Sequence, residues 1–286
     1  MEISVSERKP LISASDLLEL LKKNNPVIID AQSGPDSYAR YATQHLAGAI
    51  HVDLETELSE KKENAANGGR HPLPDVKKFA ALLGKIGIDQ SSRVVVYDDK
   101  SGAFSAARFW WMMKAVGHEQ VQVLDGGLHA AIKVGIPTNN KIPIPQSLPP
   151  YKVKEWKRPT VTLEDVVMAS TNKKFLIIDV REGYRYRGES EPIDLIAGHI
   201  PNAVNIPYLD NLDSEGKFLP ANELESLYKK VLDNYPADHV IVHCGSGVTG
   251  CHTMLALEET GIKGANLYVG SWSEWSRNNL PLAREE

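Results

Sequence analysis

The chain of 286 residues is about twice the usual single-domain size, so two domains are expected. Hydrophobic residues at 42% and charged residues at 24% suit a globular enzyme, and a net charge of −5 argues against nucleic-acid or anionic-membrane partners. Met1 to Asp30 lack a signal-peptide pattern and no apolar stretch approaches membrane-spanning length, so a cytoplasmic protein is expected. Two cysteines, Cys244 and Cys251, are too few for a disulfide framework and wrongly spaced for a zinc knuckle, and no metal or organic cofactor is implied.

In chain order, the first informative segment runs from Pro10 to Asp30, reading P-L-I-S-A-S-D-L-L and ending in V-I-I-D. It returns from Pro159 to Asp179 as P-T-V-T-L-E-D-V-V ending in L-I-I-D, at a constant offset of 149 positions. H-L-A-G-A-I at His45 is echoed by H-I-P-N-A-V at His199, and V-V-V-Y-D ending at Asp98 by V-I-V-H-C ending at Cys244. A repeat of this length is a domain rather than a solenoid unit. The apolar runs Val27–Ile29, Val94–Val96, Leu176–Ile178 and Val240–Val242 read as buried parallel strands. Helical segments over Ala103–Ala115, Leu224–Leu232 and Cys251–Glu259 alternate with them, so each copy is an α/β domain with a mostly parallel sheet flanked by helices. Lys141 to Val153 holds four prolines in thirteen residues and reads as an extended linker. The expected division is 1–140, a linker over 141–158, and 159–286.

Chemistry in such sheets collects at the carboxyl ends of the strands, where Asp98 and Cys244 stand in their copies. Cys244 opens C-G-S-G-V-T-G, and a helix follows. Gly245 and Gly247 allow the backbone to fold around the sulfur with its amides facing inward, and the helix start adds positive potential. Both effects favour thiolate over thiol, so a pKa below the free value of about 8.5 is expected. A free cysteine at a strand end is otherwise a small buried hydrophobe, the reading that suits Cys251 on the next helix. Gly245, Gly247 and Gly250 formally spell G-x-G-x-x-G, but only 36 residues follow Gly250, too few for the rest of a dinucleotide fold. A cysteine phosphatase needs an arginine where this chain has Gly250, and Ser246 does not sit in G-x-S-x-G.

D-V-R-E at Asp179, G-H-I-P-N-A-V-N-I-P at Gly198, C-G-S-G-V-T at Cys244 and G-S-W-S-E-W at Gly270, in that order on a duplicated α/β unit, resemble the tandem rhodanese-domain sulfurtransferases. The resemblance covers essentially the whole chain. It implies two rhodanese-like domains, a catalytic second one and a first that has lost its cysteine, as Asp98 shows. It also implies sulfur carried as a Cys244 persulfide from a small-molecule donor to a thiol or cyanide acceptor, with a thioredoxin-type protein as one candidate. The uncharged loop, with Gly245, Ser246, Gly247, Val248 and Thr249 around the donor, is similar to the 3-mercaptopyruvate branch. Thiosulfate-type loops carry basic residues beside the cysteine, and thiosulfate stays open as the alternative donor. Arg185 matches the arginine that grips the donor anion, with Arg187 as a second candidate. His71 matches a histidine that, with an acid at the place of Glu55, forms a proton relay to Ser246. Ile193 stands where mercaptopyruvate-type relatives often carry a further arginine. Asp179 and His199 are read as fold determinants, Arg181 as an ion-pair partner, and Trp110, Trp111, Trp272 and Trp275 as packing, with Trp272 a candidate for the pocket edge. A carrier module without catalysis is the remaining alternative.

Overall fold

The computed structural model describes residues 9–285. In the first half, β1 (Leu11–Ile12), β2 (Val27–Asp30), β3 (His45–Leu46), β4 (Ile50–His51), β5 (Val94–Tyr97), β6 (Val121–Leu124) and β7 (Thr138–Asn139) form two sheets. One is a parallel five-stranded sheet in the order β1-β6-β5-β2-β4; β3 and β7 make a separate antiparallel pair. In the second half, β8 (Leu176–Asp179), β9 (Ala203–Asn205), β10 (Val240–His243) and β11 (Asn266–Leu267) form a parallel sheet in the order β11-β10-β8-β9. The strands β5, β8 and β10 are buried along their whole length, as expected for β-branched runs covered by helices on both faces.

The duplication holds down to single bonds. The Ser13 hydroxyl accepts from the Asp16 amide to start the helix Ala14–Lys23, and Thr162 and Asp165 form a full capping box on Leu163–Ala169. His45 and His199 each make one ring-nitrogen hydrogen bond to a tyrosine carbonyl, Tyr41 at 2.7 Å and Tyr186 at 2.8 Å, and each ring stacks on that tyrosine. Asp30 accepts from Tyr97 and Gln32 where Asp179 accepts from Arg181. These contacts bind segments within one copy, which accounts for their presence in the half without a cysteine.

The helices following β5 and β10, Ser105–Ala115 and Thr249–Glu259, pack against each other and are almost wholly buried. Their apolar residues, Trp110 and Met113 from one and Cys251 and Leu255 from the other, belong to a single core that runs through both halves. A helix apolar on every side is one enclosed by its own sheet and by a neighbour. This packing brings the loops after β5 and β10 to the same interface. Each helix begins within two or three residues of the expected place, at Ser105, Ala221 and Thr249. The segment 141–158 carries neither helix nor strand and lies along the first half, donating from Leu148, Tyr151 and Lys157 amides to Gly84, Ala80 and Ala115 carbonyls. Trp110, Trp111, Trp272 and Trp275 are buried in packing roles. Among the described residues, no helix is long and apolar enough to cross a membrane.

Candidate active site

Cys244 follows β10 directly, and its backbone is pinned from below. Its amide donates to Ser271 Oγ at 3.1 Å and its carbonyl accepts from the Trp272 amide at 3.0 Å. The Gly245 carbonyl accepts from Ser273 at 2.8 Å, so the short helix Ser271–Trp275 holds the loop by main-chain bonds. Gly247 takes a left-handed φ of 75°, which turns its N–H onto Cys244 Sγ at 3.1 Å. A Cβ at Gly247 would lie 2.5 Å from the Val269 carbonyl oxygen, so both the conformation and the space call for glycine. The helix Thr249–Glu259 begins two residues later and adds the positive end of its dipole.

The sulfur faces a cavity of about 280 Å³ lined from both halves. Arg185, Gly245, Ser246, Val248 and Thr249 border it from the second, and Glu55, Arg70 and His71 from the first. The first-half residues reach it because their loop docks on the helix Ser271–Trp275. Gly68 N donates to Glu274 Oε1 at 2.6 Å and Arg70 N to Ser273 Oγ at 3.1 Å. Gly69 has φ 80°, and a Cβ there would sit 2.4 Å from the Gly270 carbonyl oxygen.

His71 Nδ1 lies 2.7 Å from Ser246 Oγ, and its Nε2 lies 3.1 Å from Glu55 Oε1. Burial pushes the His71 pKa below its usual value, against the raising effect of Glu55 and with the help of Arg70 and Arg108. A neutral ring then donates from Nε2 to Glu55 and accepts the Ser246 hydroxyl at Nδ1. For Glu55, burial opposes ionisation, but Lys61 at 2.5 Å and His71 outweigh it and hold the carboxyl below its usual range. The fully buried Arg108 donates to the His71 carbonyl at 3.0 Å and the Gly247 carbonyl at 3.2 Å, tying the His71 loop to the cysteine loop.

Arg185 reaches the cavity, but its guanidinium is already held by Glu191 at 2.8 Å, Glu182 at 3.3 Å and Asp194 at 3.4 Å. Arg187 does not join it: its guanidinium is largely exposed and turned to Glu189 at 2.6 Å, because the five-residue helix Gly183–Arg187 points positions 185 and 187 in different directions. Trp272 is likewise removed from the pocket edge, fully buried under Arg181 with its indole N–H on the Ile196 carbonyl. Arg181 itself pairs with Asp179 and Glu191, as an internal ion pair should. Cys251 is buried, with burial pushing its thiol up to about 12. Arg70, which adjoins His71 in G-R-H-P, is not among the residues expected from the sequence: its pairing with Asp194, 124 positions away, has no local signal.

A comparison with known families matches the Rhodanese-like domain twice, over residues 13–133 and 162–278. The chain belongs to the rhodanese family. Among its relatives, a Pseudomonas aeruginosa protein named "Probable 3-mercaptopyruvate sulfurtransferase" is 38% identical over 93% of this chain and 94% of its own length. The thiosulfate sulfurtransferase of Gallus gallus is 33% identical over 89% of this chain and 87% of its own. The crystal structure of the 3-mercaptopyruvate sulfurtransferase SseA from Escherichia coli superposes with a TM-score of 0.75 at 30% identity, covering 93% of this chain and 100% of that one. Like these rhodanese-family relatives, the chain is a sulfurtransferase, with a sulfur donor and an acceptor.

Proposed function

We propose that this chain takes sulfur from 3-mercaptopyruvate onto Cys244 and passes it as a persulfide to a thiol or cyanide acceptor in the cytoplasm, a thioredoxin-type protein among the thiols. The observation that carries the reading is the Glu55–His71–Ser246 chain, which ends at the hydroxyl beside Cys244. Sulfur transfer from a mercapto acid needs a proton moved from the donor's thiol to its carbon; transfer from thiosulfate, which expels sulfite, does not.

The steps balance without an outside reagent. Ser246 Oγ receives the donor thiol's proton as His71 Nδ1 takes the serine's own, and Glu55 steadies the resulting imidazolium. The Cys244 thiolate attacks the donor sulfur, forming the S–S bond as the C–S bond breaks and the pyruvate enolate leaves. The proton returns through Ser246 to the enolate carbon, leaving pyruvate and the Cys244 persulfide anion. The Gly247 amide and the helix start that face Sγ offer the same stabilisation to the persulfide. Arg70 and Arg185 supply donors suited to the carboxylate.

The test is a side-by-side kcat/KM for 3-mercaptopyruvate and thiosulfate, with pyruvate and sulfite as readouts. Preference for the mercapto acid, abolished together with the persulfide mass shift in Cys244→Ser, is expected. Preference for thiosulfate would replace the donor; no pyruvate or sulfite from donor alone would leave a carrier module.

A further inference from the structure

Asp194 lies behind the cavity with its side chain wholly buried. It accepts from three arginines drawn from both halves of the chain. Arg70 Nε reaches Oδ1 at 3.0 Å and its Nη2 reaches Oδ2 at 3.3 Å. Arg185 Nη2 approaches Oδ2 at 3.4 Å, and Arg277 Nη1 approaches Oδ1 at 3.2 Å. The Asp194 amide donates to Glu191 Oε1 at 3.0 Å, so the backbone at this turn is fixed by the same carboxylate that holds Arg185. The two pocket guanidiniums thus form one unit through Asp194. Their Nη2 atoms would stand 3.1 Å (Arg70) and 3.4 Å (Arg185) from a Cβ at Gly245, with Asp194 Oδ2 at 3.5 Å, so the cluster abuts the residue next to the reactive cysteine.

The charges around this cluster are balanced: Arg181 pairs with Asp179, Arg185 with Glu191 and with Glu182 at the cavity wall, and Arg70 and Arg277 share Asp194. Ile193, next in the chain and exposed at the cavity lip, adds none.

We propose that Asp194 is a positioning residue that biases the cavity against more highly charged sulfur donors: it locks Arg70 and Arg185 together across the two halves and cancels one positive charge that a dianion would otherwise meet. The proposal rests on the reading that Cys244 takes sulfur from an anionic donor. Replacing Asp194 by asparagine keeps the shape and raises the cluster's charge by one; replacing Arg277, which does not border the cavity, by glutamine lowers it by one.

The experiment measures kcat/KM for thiosulfate, a dianion, and 3-mercaptopyruvate, a monoanion, with cyanide as acceptor. In Asp194→Asn the thiosulfate-to-mercaptopyruvate ratio is expected to rise at least about tenfold, carried by KM, the change that one unit charge gives from as far as about 12 Å at an effective dielectric of about 20. Asp194→Glu restores the ratio toward wild type, and Arg277→Gln moves it the other way. Equal losses for both donors in a folded Asp194→Asn variant would reduce Asp194 to a structural residue and overturn the proposal. So would a ratio that moves the same way in Asp194→Asn and Arg277→Gln. Should Asp194→Asn fail to fold, an unchanged ratio in Arg277→Gln overturns it alone. Because the ratio is read against wild type, a wild type that prefers thiosulfate would sink the donor assignment above and leave this measurement intact.

Discussion

Two glycines of the cysteine loop answer the same substitution in opposite ways, which separates its backbone role from its pocket role. At Gly247 an alanine must adopt a φ of 75° and place its Cβ 2.5 Å from the Val269 carbonyl. The left-handed conformation costs about 1 kcal/mol, and pushing back main chain in a packed site costs about 2 kcal/mol more. A total of about 3 kcal/mol lowers Tm by roughly 6–10 °C for a chain of this size. The displacement also takes the 247 amide off Sγ, so kcat should fall by about a hundredfold, the usual loss of one preorganised donor. At Gly245 the φ is not left-handed, and the atoms nearest an added Cβ are the Arg70 and Arg185 side-chain ends at 3.1 and 3.4 Å and Asp194 at 3.5 Å. Stability should change by less than about 0.5 kcal/mol, while the donor KM rises about tenfold as the guanidiniums back away. Scanning calorimetry, pyruvate release under saturating cyanide, and persulfide detection by mass check the pair. A Gly247→Ala variant with wild-type Tm and kcat, or a Gly245→Ala variant with wild-type KM, would refute the reasoning.

Ser246→Ala and His71→Ala should each lower the pyruvate-forming kcat by about a hundredfold, with thiosulfate turnover much less affected, measured in single-turnover assays. The acid limb of kcat/KM, set by protonation of His71, should lie below the ordinary histidine value near 6.5, and Glu55→Gln should move it lower still, because the carboxylate it removes is what raises the His71 pKa. His252 is buried without charge and held down at about 3, so the folded state gains from it in full above the unfolded value near 6.5 and loses about 1.4 kcal/mol per pH unit below that, down to about pH 3; urea melts at pH 7 and pH 5 should differ less in His252→Gln. Asp98→Ala should cost about 3 kcal/mol in the same melts, because the Lys100, Gly102, Phe104 and Ala106 amides all lose their buried acceptor.

The duplication, the strands and the place of Cys244 were legible because each depends on local pattern. Three consecutive β-branched residues, Val94–Val96 before Asp98 and Val240–Val242 before Cys244, admit only a buried strand once a helix follows, and an offset of 149 positions carries Pro10–Asp30 onto Pro159–Asp179 without a gap. Arg187 misled because spacing on a five-residue helix says little about which side faces a cavity formed by another part of the chain. Arg70 was missed for the converse reason. Its task is defined by Ser273 and Asp194, more than a hundred residues away, and no local pattern encodes that docking.

The half without a cysteine is therefore a working part of the site. Its own strand end carries Asp98, whose carboxylate accepts four inward-facing amides in the loop that corresponds to the one around Cys244. A buried carboxyl group fills that cradle and keeps the loop folded with no sulfur to bind. The helix that follows, Ser105–Ala115, presents Arg108 to the Gly247 carbonyl, and the loop before it in sequence presents Arg70 and His71 to the cavity. Duplication gave one strand-end cradle to Cys244; the other belongs to the half that presents the proposed proton relay and a guanidinium to its cavity.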